Sequence, residues 1–222
     1  MEIERGFVFD PSLALYLPLY KLDGASFISK DAYSHLCTVT GAIWRLNGHY
    51  FDGMDDEIVV GNPTALNNLG SLSILAWINP DTLGKGNYGR IADKRANGWH
   101  FALLTNNRLA FYVDYTTTDL GVYSPNNSIT LGSYQHVAVA WDGSTTATNA
   151  ILYVNGTALS RNSDTNGAGA RQDDSARSLR IGNNVDDSYV FDGVIGEVLI
   201  YNRALTPLEI QHNYLATKWR YR

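Results

Sequence analysis

The stretch SYVFDGVIGEVLIYNRALTPLEIQHNYLATKW, residues 188–219, begins with an apolar segment that has the period of a strand. Apolar and small or charged positions alternate from Phe191, and the apolar pattern then continues through Leu199 to Tyr201. We therefore predict that residues 191–201 form an interior strand, with Leu199 and Tyr201 on one face and Val198 and Ile200 on the other.

The hydrophobic period of the same stretch changes a few residues later, where helix signals appear. Thr206 is a strong N-cap, Pro207 suits the first helical position, and Glu209 completes a capping box. We predict a helix of two or three turns that packs Leu208 and Leu215 onto the sheet. An almost all-β protein that ends in one short helix is unusual, so this arrangement limits the possible folds.

Four motifs follow one another along the chain. They are LALYLPL (13–19), HYFDGMDDEI (49–58), YQHVAVAWDGS with LYVNG (134–144 and 152–156), and FDGVIGEVLIYNRALTPLEI (191–210). In order and spacing they resemble the opening strand, the F-D-G-x-D-D-x-I signature, the V-A-V…L-Y-V-N-G core and the closing motif of the laminin-G-like (LamG type 3), concanavalin A-like domains.

This resemblance covers roughly residues 11–215 and implies the fold class. We expect an all-β, concanavalin A-like jelly-roll sandwich of two antiparallel sheets with a short C-terminal helix. The expected organisation is an N-terminal arm (1–10), one jelly-roll domain (11–217) and a basic C-terminal tail (218–222). The stretches 20–48 and 114–131 are expected to be irregular, and 160–177 a mobile surface loop.

Composition excludes several classes of partner. The 222 residues carry a formal net charge of -5, which argues against nucleic acid, and no apolar run is long enough for membrane insertion. Cys37 is the single cysteine and is expected to be buried and inert. The first residues, MEIERGFVFDP, lack a basic region followed by an apolar one. We therefore expect cytoplasmic synthesis without a signal peptide, and a virion-surface or other extracellular location after lysis.

The sequence gives little support for catalysis. Relatives of the laminarinase kind use an E-x-D-x-E strand, whose alternation brings the carboxylates to one face. Here Asp55, Asp56 and Glu57 are consecutive, so neighbours point to opposite faces, and Glu197 is isolated. We predict no enzyme, and a glycoside hydrolase with a different constellation is the alternative.

A structural calcium ion is the one cofactor that the resemblance suggests. Its candidate ligands are the carboxylates of Asp52, Asp55 and Asp56. Relatives also use an aspartate in a G-x-I-D-E-V pattern on the closing strand, but Gly196 occupies that position here. The alternative interpretation is that these aspartates form turns and bind backbone amides.

Aromatic and amide side chains in and beside the strands are the candidates for sugar binding, because sugar sites combine an aromatic platform with amides and carboxylates. The predicted ligand-binding residues are Tyr88, Trp99, Tyr112, Tyr115, Asn106 and Asn107. Trp77 and Trp141 belong to apolar strands and are predicted to be packed.

The function that fits these features is non-enzymatic, lectin-like recognition or adhesion. We expect a phage or virus particle surface protein, a decoration or appendage that binds a glycan or cell-surface polysaccharide. Its terminal arms could hold capsid or other virion proteins, or a second copy of the chain. The alternative is a purely structural virion subunit without a ligand.

Overall fold

Two antiparallel sheets form the protein in the computed structural model, which describes residues 6–221. The first sheet contains β1 (Leu13–Leu17), β4 (Ile43–Arg45), β5 (Gly48–Asp52), β7 (Leu72–Pro80), β12 (Gln135–Trp141), β13 (Ala150–Val154), β14 (Thr157–Ala158) and β16 (Asp192–Tyr201). The second contains β2 (Ser26–Ile28), β3 (Leu36–Thr40), β6 (Glu57–Gly61), β8 (Arg90–Asp93), β9 (Trp99–Leu104), β10 (Arg108–Val113), β11 (Leu120–Tyr123) and β15 (Leu179–Ile181). Helix α1 (Pro207–Thr217) follows β16.

The strand order is that of a sandwich with long crossovers between sheets. The first sheet runs β14-β13-β12-β7-β16-β5-β4, with β1 beside the second half of β16, and the second runs β11-β10-β9-β8-β15-β6-β3-β2. Apolar side chains from both sheets alternate inwards and form the main core between them. The predicted jelly-roll architecture, two antiparallel sheets and one C-terminal helix, is confirmed.

Strand β16 lies in the interior of the first sheet, as the closing stretch predicts. It pairs with β7 on one side, and with β5 and β1 in succession on the other. Val198 and Ile200 face the main core, whereas Leu199 and Tyr201 belong to a second cluster on the outer face of the sheet. Both the strand and the assignment of its faces are correct.

The helix begins where the sequence predicts, but a different face of it is buried. Thr206 Oγ1 accepts a hydrogen bond from the Glu209 amide at 3.3 Å, and Glu209 Oε2 accepts one from the Thr206 amide at 2.8 Å. Leu208 is 76% exposed and Leu215 48% exposed, so the prediction that they pack onto the sheet is wrong. The side chains that are buried instead are those of Ile210, Asn213 and Ala216.

An ion-paired arginine explains this rotation of the helix. Arg203 binds both carboxylate oxygens of Glu209, at 3.0 and 2.7 Å, and also the Asp10 carboxylate at 2.7 Å. Because Glu209 is held beside Arg203, the next residue, Ile210, points towards the sheet. Leu205, just before the cap, fills the same outer cluster.

Three stretches expected to be irregular or mobile are more ordered than the sequence suggests. Residues 20–48 contain β2, β3 and β4, and residues 114–131 contain β11. Residues 160–177 form isolated bridges with the chain around β11, and Asp174 makes a buried ion pair with Lys94 at 2.6 Å. Short strands with exposed side chains have too few residues to show a period.

The described parts of the two terminal arms pack against the domain. Phe7 lies against Tyr16 with 4.6 Å between ring centroids, and Val8 bonds to Asn213 and Tyr201. Near the other end, Tyr221 stacks on Trp77 at 4.4 Å. Residues 1–5 and Arg222 lie outside the described residues.

Candidate functional site

Four tyrosines meet on the outer surface of the second sheet, and we call this surface the tyrosine face. Tyr112 and Tyr123 lie on β10 and β11, Tyr88 precedes β8, and Tyr189 precedes β16. All four rings are half-buried, with 5.3 to 6.1 Å between the centroids of neighbouring rings. The face arises from alternation: the residues on either side of Tyr112 point into the core.

A glycine allows the two strand tyrosines to meet. Gly121 on β11 is the direct partner of Tyr112 on β10. A Cβ atom there would lie 3.1 Å from Tyr123 Oη and 3.3 Å from a Tyr112 ring carbon. Because that position has no side chain, the Tyr112 and Tyr123 hydroxyls come within 2.5 Å of each other.

A buried polar layer supports the rings from below. The Arg90 guanidinium lies 4.2 Å from the Tyr88 ring centroid and 4.8 Å from that of Tyr189. Its Nε is 2.7 Å from Asp93 Oδ2. His100 stacks on Tyr112 with centroids 4.7 Å apart, and its Nε2 shares a hydrogen bond of 2.8 Å with Tyr88 Oη.

Burial sets the charge states in this layer. Burial, with the nearby charges of Arg90 and Arg95, holds the pKa of His100 well below its usual range, so its ring is neutral at pH 7. Burial also raises the pKa of Asp93 to about 6, with Arg90 opposing the shift. At pH 7 Asp93 is therefore mostly ionised and balances the charge of Arg90, whose guanidinium lies against the electron-rich faces of Tyr88 and Tyr189.

Two more arginines border the tyrosine face and are partly open to solvent. Arg95 lies 3.2 Å from Asp114 and 3.4 Å from Asp119, and its side chain is about as exposed as that of Asp119. Arg108 lies 5.4 Å from the Tyr123 ring centroid. These groups provide hydrogen-bond donors and acceptors beside flat apolar rings.

The structure brings together only some of the predicted sugar-binding residues. Tyr88 and Tyr112 are neighbours on the tyrosine face, with ring centroids 6.1 Å apart. Trp99 and Tyr115 are buried in the main core, so the prediction that they bind a ligand is wrong. Trp99 points inwards from β9, and Tyr115 does so from an isolated bridge with Arg171 after β10.

The two asparagines predicted to bind a ligand form a backbone turn. Asn106 and Asn107 have φ of 63° and 53° and form the turn between β9 and β10. This left-handed conformation is one that asparagine tolerates well. Tyr123 was an available aromatic residue that the prediction did not select, although its alternation with Val122 was a usable signal. Tyr189 was not considered, and no sequence pattern indicates it.

The predicted calcium ligands do lie together. One oxygen from each of Asp52, Asp55 and Asp56 falls within 4.8 Å of the others. Burial raises the pKa of Asp56, and the neighbouring charges of Asp52 and Asp55 add to that rise. A cation would relieve this repulsion, and the oxygen set suits Ca²⁺.

The same aspartates also bind their own turn. Asp56 Oδ2 accepts from the Asp52 amide at 2.8 Å, and Asp52 Oδ1 accepts from the Met54 amide at 2.9 Å. The residues thus fit a cation only in part, because two of the carboxylates already stabilise backbone amides.

Steric constraints explain why position 196 on the closing strand is a glycine. A Cβ atom there would lie 2.4 Å from a Tyr221 ring carbon and 2.7 Å from the Asn47 carbonyl oxygen. The position where relatives carry an aspartate therefore has no room for a side chain beside the Tyr221 ring. Residue 196 therefore cannot provide a side chain that binds a metal ion.

Within residues 6–221, no helix has both the length and the apolar character needed to cross a membrane.

Comparison with solved structures finds the same fold in proteins of several kinds. Trypanosoma rangeli sialidase in complex with sialic acid is 19% identical with a TM-score of 0.67, covering 95% of this chain and 34% of the sialidase. The binding domain of botulinum neurotoxin serotype D is 14% identical with a TM-score of 0.67, covering 93% of this chain and 52% of that one. The binding domain of Paraclostridial Mosquitocidal Protein 1 is 14% identical with a TM-score of 0.60, covering 94% and 52%.

These likenesses show the fold alone, since the identities are low and the chain spans about a third of the sialidase and half of each toxin domain. No curated protein matches the sequence. A family model, in contrast, matches residues 52–211, more than half of the chain. The chain therefore belongs to the Laminin_G_3 family of the concanavalin A-like lectin/glucanase superfamily.

Proposed function

We propose that this protein is a non-enzymatic glycan-binding domain, and that the tyrosine face is the surface that contacts the sugar. The observation that carries the proposal is the group of half-buried tyrosine rings held over a buried Arg90–Asp93–His100 layer. Rings fixed in this way lose little conformational freedom when a ligand binds.

The chemistry of the face suits a sugar. The C–H surfaces of a pyranose ring pack on aromatic rings, and its hydroxyls need donors and acceptors at the edge of that contact. The hydroxyls of Tyr112 and Tyr123 provide both, and Arg95, whose charge acts on Tyr88 and Tyr112, forms a charged pair with Asp119. A shallow face of this kind fits a residue within a polysaccharide chain.

The fold relatives support the coarse part of the proposal. One solved structure of the same fold is a sialidase in complex with sialic acid, and two others are binding domains of toxins. Carbohydrate partners are therefore plausible for the fold, and the choice of the tyrosine face rests on the geometry of this chain.

The carboxylates near the face favour binding over hydrolysis. A glycosidase needs two carboxyl groups that both reach the sugar. Asp93 has the raised pKa of a general acid, but it is 2% exposed and lies against Arg90. Asp114 and Asp119 are both engaged by Arg95. We expect no release of reducing sugar from any polysaccharide that binds.

The finer biological setting is a hypothesis from the sequence. We propose display on the surface of a phage or virus particle, where a glycan-binding domain would attach the particle to a cell-surface polysaccharide. Detection of the chain in purified particles tests this setting. The described arm residues Phe7, Val8 and Tyr221 pack against their own domain, so contacts through the arms are not part of the proposal. A purely structural subunit without a ligand stays the alternative, and binding to no glycan would favour it.

The test of the proposed function is a glycan array, followed by titration of the best ligand. We expect Tyr112→Ala and Tyr88→Ala to lower affinity by about tenfold or more, which corresponds to about 1.4 kcal/mol. Tyr33→Ala is the matched control, because Tyr33 is an exposed tyrosine between β2 and β3 at the far edge of the same sheet. Binding to no glycan, or equal loss with Tyr33→Ala, would contradict the proposal.

A further inference from the structure

A cavity of about 700 Å³ lies on the outer face of the first sheet, on the opposite side of the sandwich from the tyrosine face. Its walls come from the N-terminal arm, β1 and the chain that follows it, β16, and the end of α1. This volume lies within the range of pockets that hold small organic ligands, about 300–1,000 Å³. The tyrosine face and the calcium candidates contribute no residue to it.

The floor of the cavity contains a buried acid. Glu197 follows the bulge at Gly196 on β16 and is only 2% exposed. Burial raises its pKa to about 7, while a hydrogen bond from Tyr16 and the charges of Arg220 and Lys21 oppose the rise. Glu197 is therefore about half protonated near pH 7, and its protonated form can donate a hydrogen bond.

Three cations line the same cavity, on a chain whose overall charge is negative. Lys21 and Lys30 are exposed, and Arg220 is half-buried with its guanidinium 3.6 Å from the Tyr20 ring centroid. The chain has 17 basic and 22 acidic side chains, so a pocket with three cations and one acid differs in sign from the molecule as a whole. The lining thus attracts anions.

Two large apolar side chains lining the cavity are open to solvent. Phe9 is 64% exposed and Trp219 is 57% exposed, and Arg220 lies 4.5 Å from the Trp219 ring centroid. Exposed aromatic rings that share one concave site are a feature of ligand contact, in contrast with single exposed apolar residues. Their position next to cations gives the cavity both an apolar and an anion-binding part.

We infer that this cavity is a second binding site, for a small carboxylate that carries a six-membered ring. Lys21 and Lys30 pair with the ligand's carboxylate, Phe9 and Trp219 contact its ring, and Glu197 hydrogen-bonds to it at the floor. The charge of the lining selects the anion, and the exposed rings select the cyclic part. The inference concerns a different surface from the tyrosine face and does not depend on it.

The charge of the floor makes this binding pH-dependent. The ionisable groups that interact with Glu197 are Tyr16, Tyr20, Lys21, Tyr201, Arg220 and Tyr221. None of the four tyrosines ionises near neutral pH, because burial raises the pKa of each above its ordinary value. Protonation of Glu197 therefore removes the negative charge of the floor, and affinity for a carboxylate increases as the pH falls through about 7.

Calorimetric titration of the full chain tests the site, with D-glucuronate and phenylacetate as ligands and D-glucose and phenylacetamide as their neutral counterparts. We expect one of the carboxylates to bind and its neutral counterpart to bind about tenfold more weakly or not at all. Binding of D-glucuronate would indicate a sugar acid as the ligand, and binding of phenylacetate would indicate an aromatic acid. If neither carboxylate binds, or if the neutral counterpart binds equally well, the inference is wrong.

Charge variants locate the binding. We expect the double variant Lys21→Ala/Lys30→Ala to weaken binding by about tenfold, since two exposed cations are lost. Lys218→Ala is the matched control, because Lys218 lies over the Tyr214 ring and does not line the cavity. Tyr112→Ala should change nothing, so that failure of this site and failure of the tyrosine face are separate results. Equal weakening by Lys218→Ala would refute the site.

Glu197→Gln tests the floor. In the wild type, affinity for the carboxylate should fall several-fold between about pH 6 and pH 8, whereas the glutamine variant should show a flat profile. A wild-type profile that is already flat would exclude Glu197 from the contact.

Discussion

The two outer faces of the sandwich differ in how they meet solvent. The first sheet carries apolar residues on its outside, among them Leu75, Leu199 and Tyr201, and these are covered by α1 and the N-terminal arm. The second sheet carries Arg90, His100 and the tyrosine rings on its outside, away from α1, which packs on the first sheet. On both faces the side chains next to the sheet are buried, but they are apolar on the first sheet and include charged and polar groups on the second.

This difference separates stability from recognition. An apolar outer layer must be covered, because burial of apolar area stabilises the fold by about 25 cal/mol per Å². The polar layer contains the ion pair of Arg90 with Asp93 and the hydrogen bond of His100 to Tyr88, although Arg90 Nε, Asp93 Oδ2 and His100 Nδ1 have no hydrogen-bond partner among the described residues. The tyrosine rings above this layer are partly open to solvent and available to a ligand. We call the outer face of the first sheet the covered face and the tyrosine face of the second sheet the open face. We therefore expect variants of the covered face to change mainly the stability of the fold, and variants of the open face to change mainly ligand binding.

The largest expected effect is the loss of a side chain under the helix. Leu199 is 3% exposed, so Leu199→Ala should lower the free energy of unfolding by about 2–5 kcal/mol through lost transfer energy and a cavity. Tyr112→Ala on the open face should cost less, because its ring is only half-buried. Denaturant midpoints of the two variants measure the difference, and equal losses would remove the distinction between the faces.

The next effect is a pH dependence from Glu197. Its pKa is raised from 4.5 to about 7 in the folded protein, so the folded state binds more protons than the unfolded state between these values. The free energy of unfolding should therefore fall as pH rises from about 4.5 to 7, by roughly 3 kcal/mol, and then level off.

Urea titrations across this pH range measure that slope. Asp93 on the open face contributes with the same sign at lower pH, since its pKa is raised from 3.8 to about 6. The difference between wild type and Glu197→Gln isolates the contribution of the covered face. A difference that does not change with pH would show that Glu197 titrates normally.

A smaller effect is expected where the covering helix begins. Thr206→Ala removes the N-cap and should cost about 0.5–2 kcal/mol. Leu208→Ala, two residues further on, is the control and should cost little, because Leu208 is exposed. Thermal unfolding of the two variants side by side checks the helix rotation. A larger loss for Leu208→Ala would mean that the helix packs through the originally predicted face.

The smallest effect is expected from calcium, which belongs to neither face. Because two carboxylates of the Asp52, Asp55 and Asp56 group already bind backbone amides, millimolar Ca²⁺ should raise the melting temperature only slightly. An ion at a hundredfold excess over its Kd would add about 2.7 kcal/mol. A large rise that a chelator reverses, and that Asp55→Asn removes, would show a true calcium site.

Much of the fold could be predicted from the sequence, because local signals there agree with the tertiary structure. The alternation in residues 191–201 and the Thr206–Glu209 capping box depend on neighbours in the chain. Short strands such as β2 and β4, with three residues each, had no pattern to reveal them.

The candidate site was predicted only in part. Tyr88 and Tyr112 were predicted to bind a ligand; they are neighbours on the tyrosine face, and their ligand binding stays a prediction. Trp99 and Tyr115 have the same chemistry, but their side chains are buried in the main core. An aromatic residue in a strand gives no sign of which sheet face becomes the inside.

The sequence by itself determined the closing strand, the helix cap and the family motifs, because these depend on side-chain alternation and on bonds between residues a few positions apart. The tertiary structure alone decided three other features: the rotation of α1, the cavity above Glu197 and the meeting of Tyr189 with Tyr88. Each of these joins residues far apart in the chain. Their contacts are set by how the two sheets, the helix and the arms pack, and packing leaves no periodic signal in the sequence.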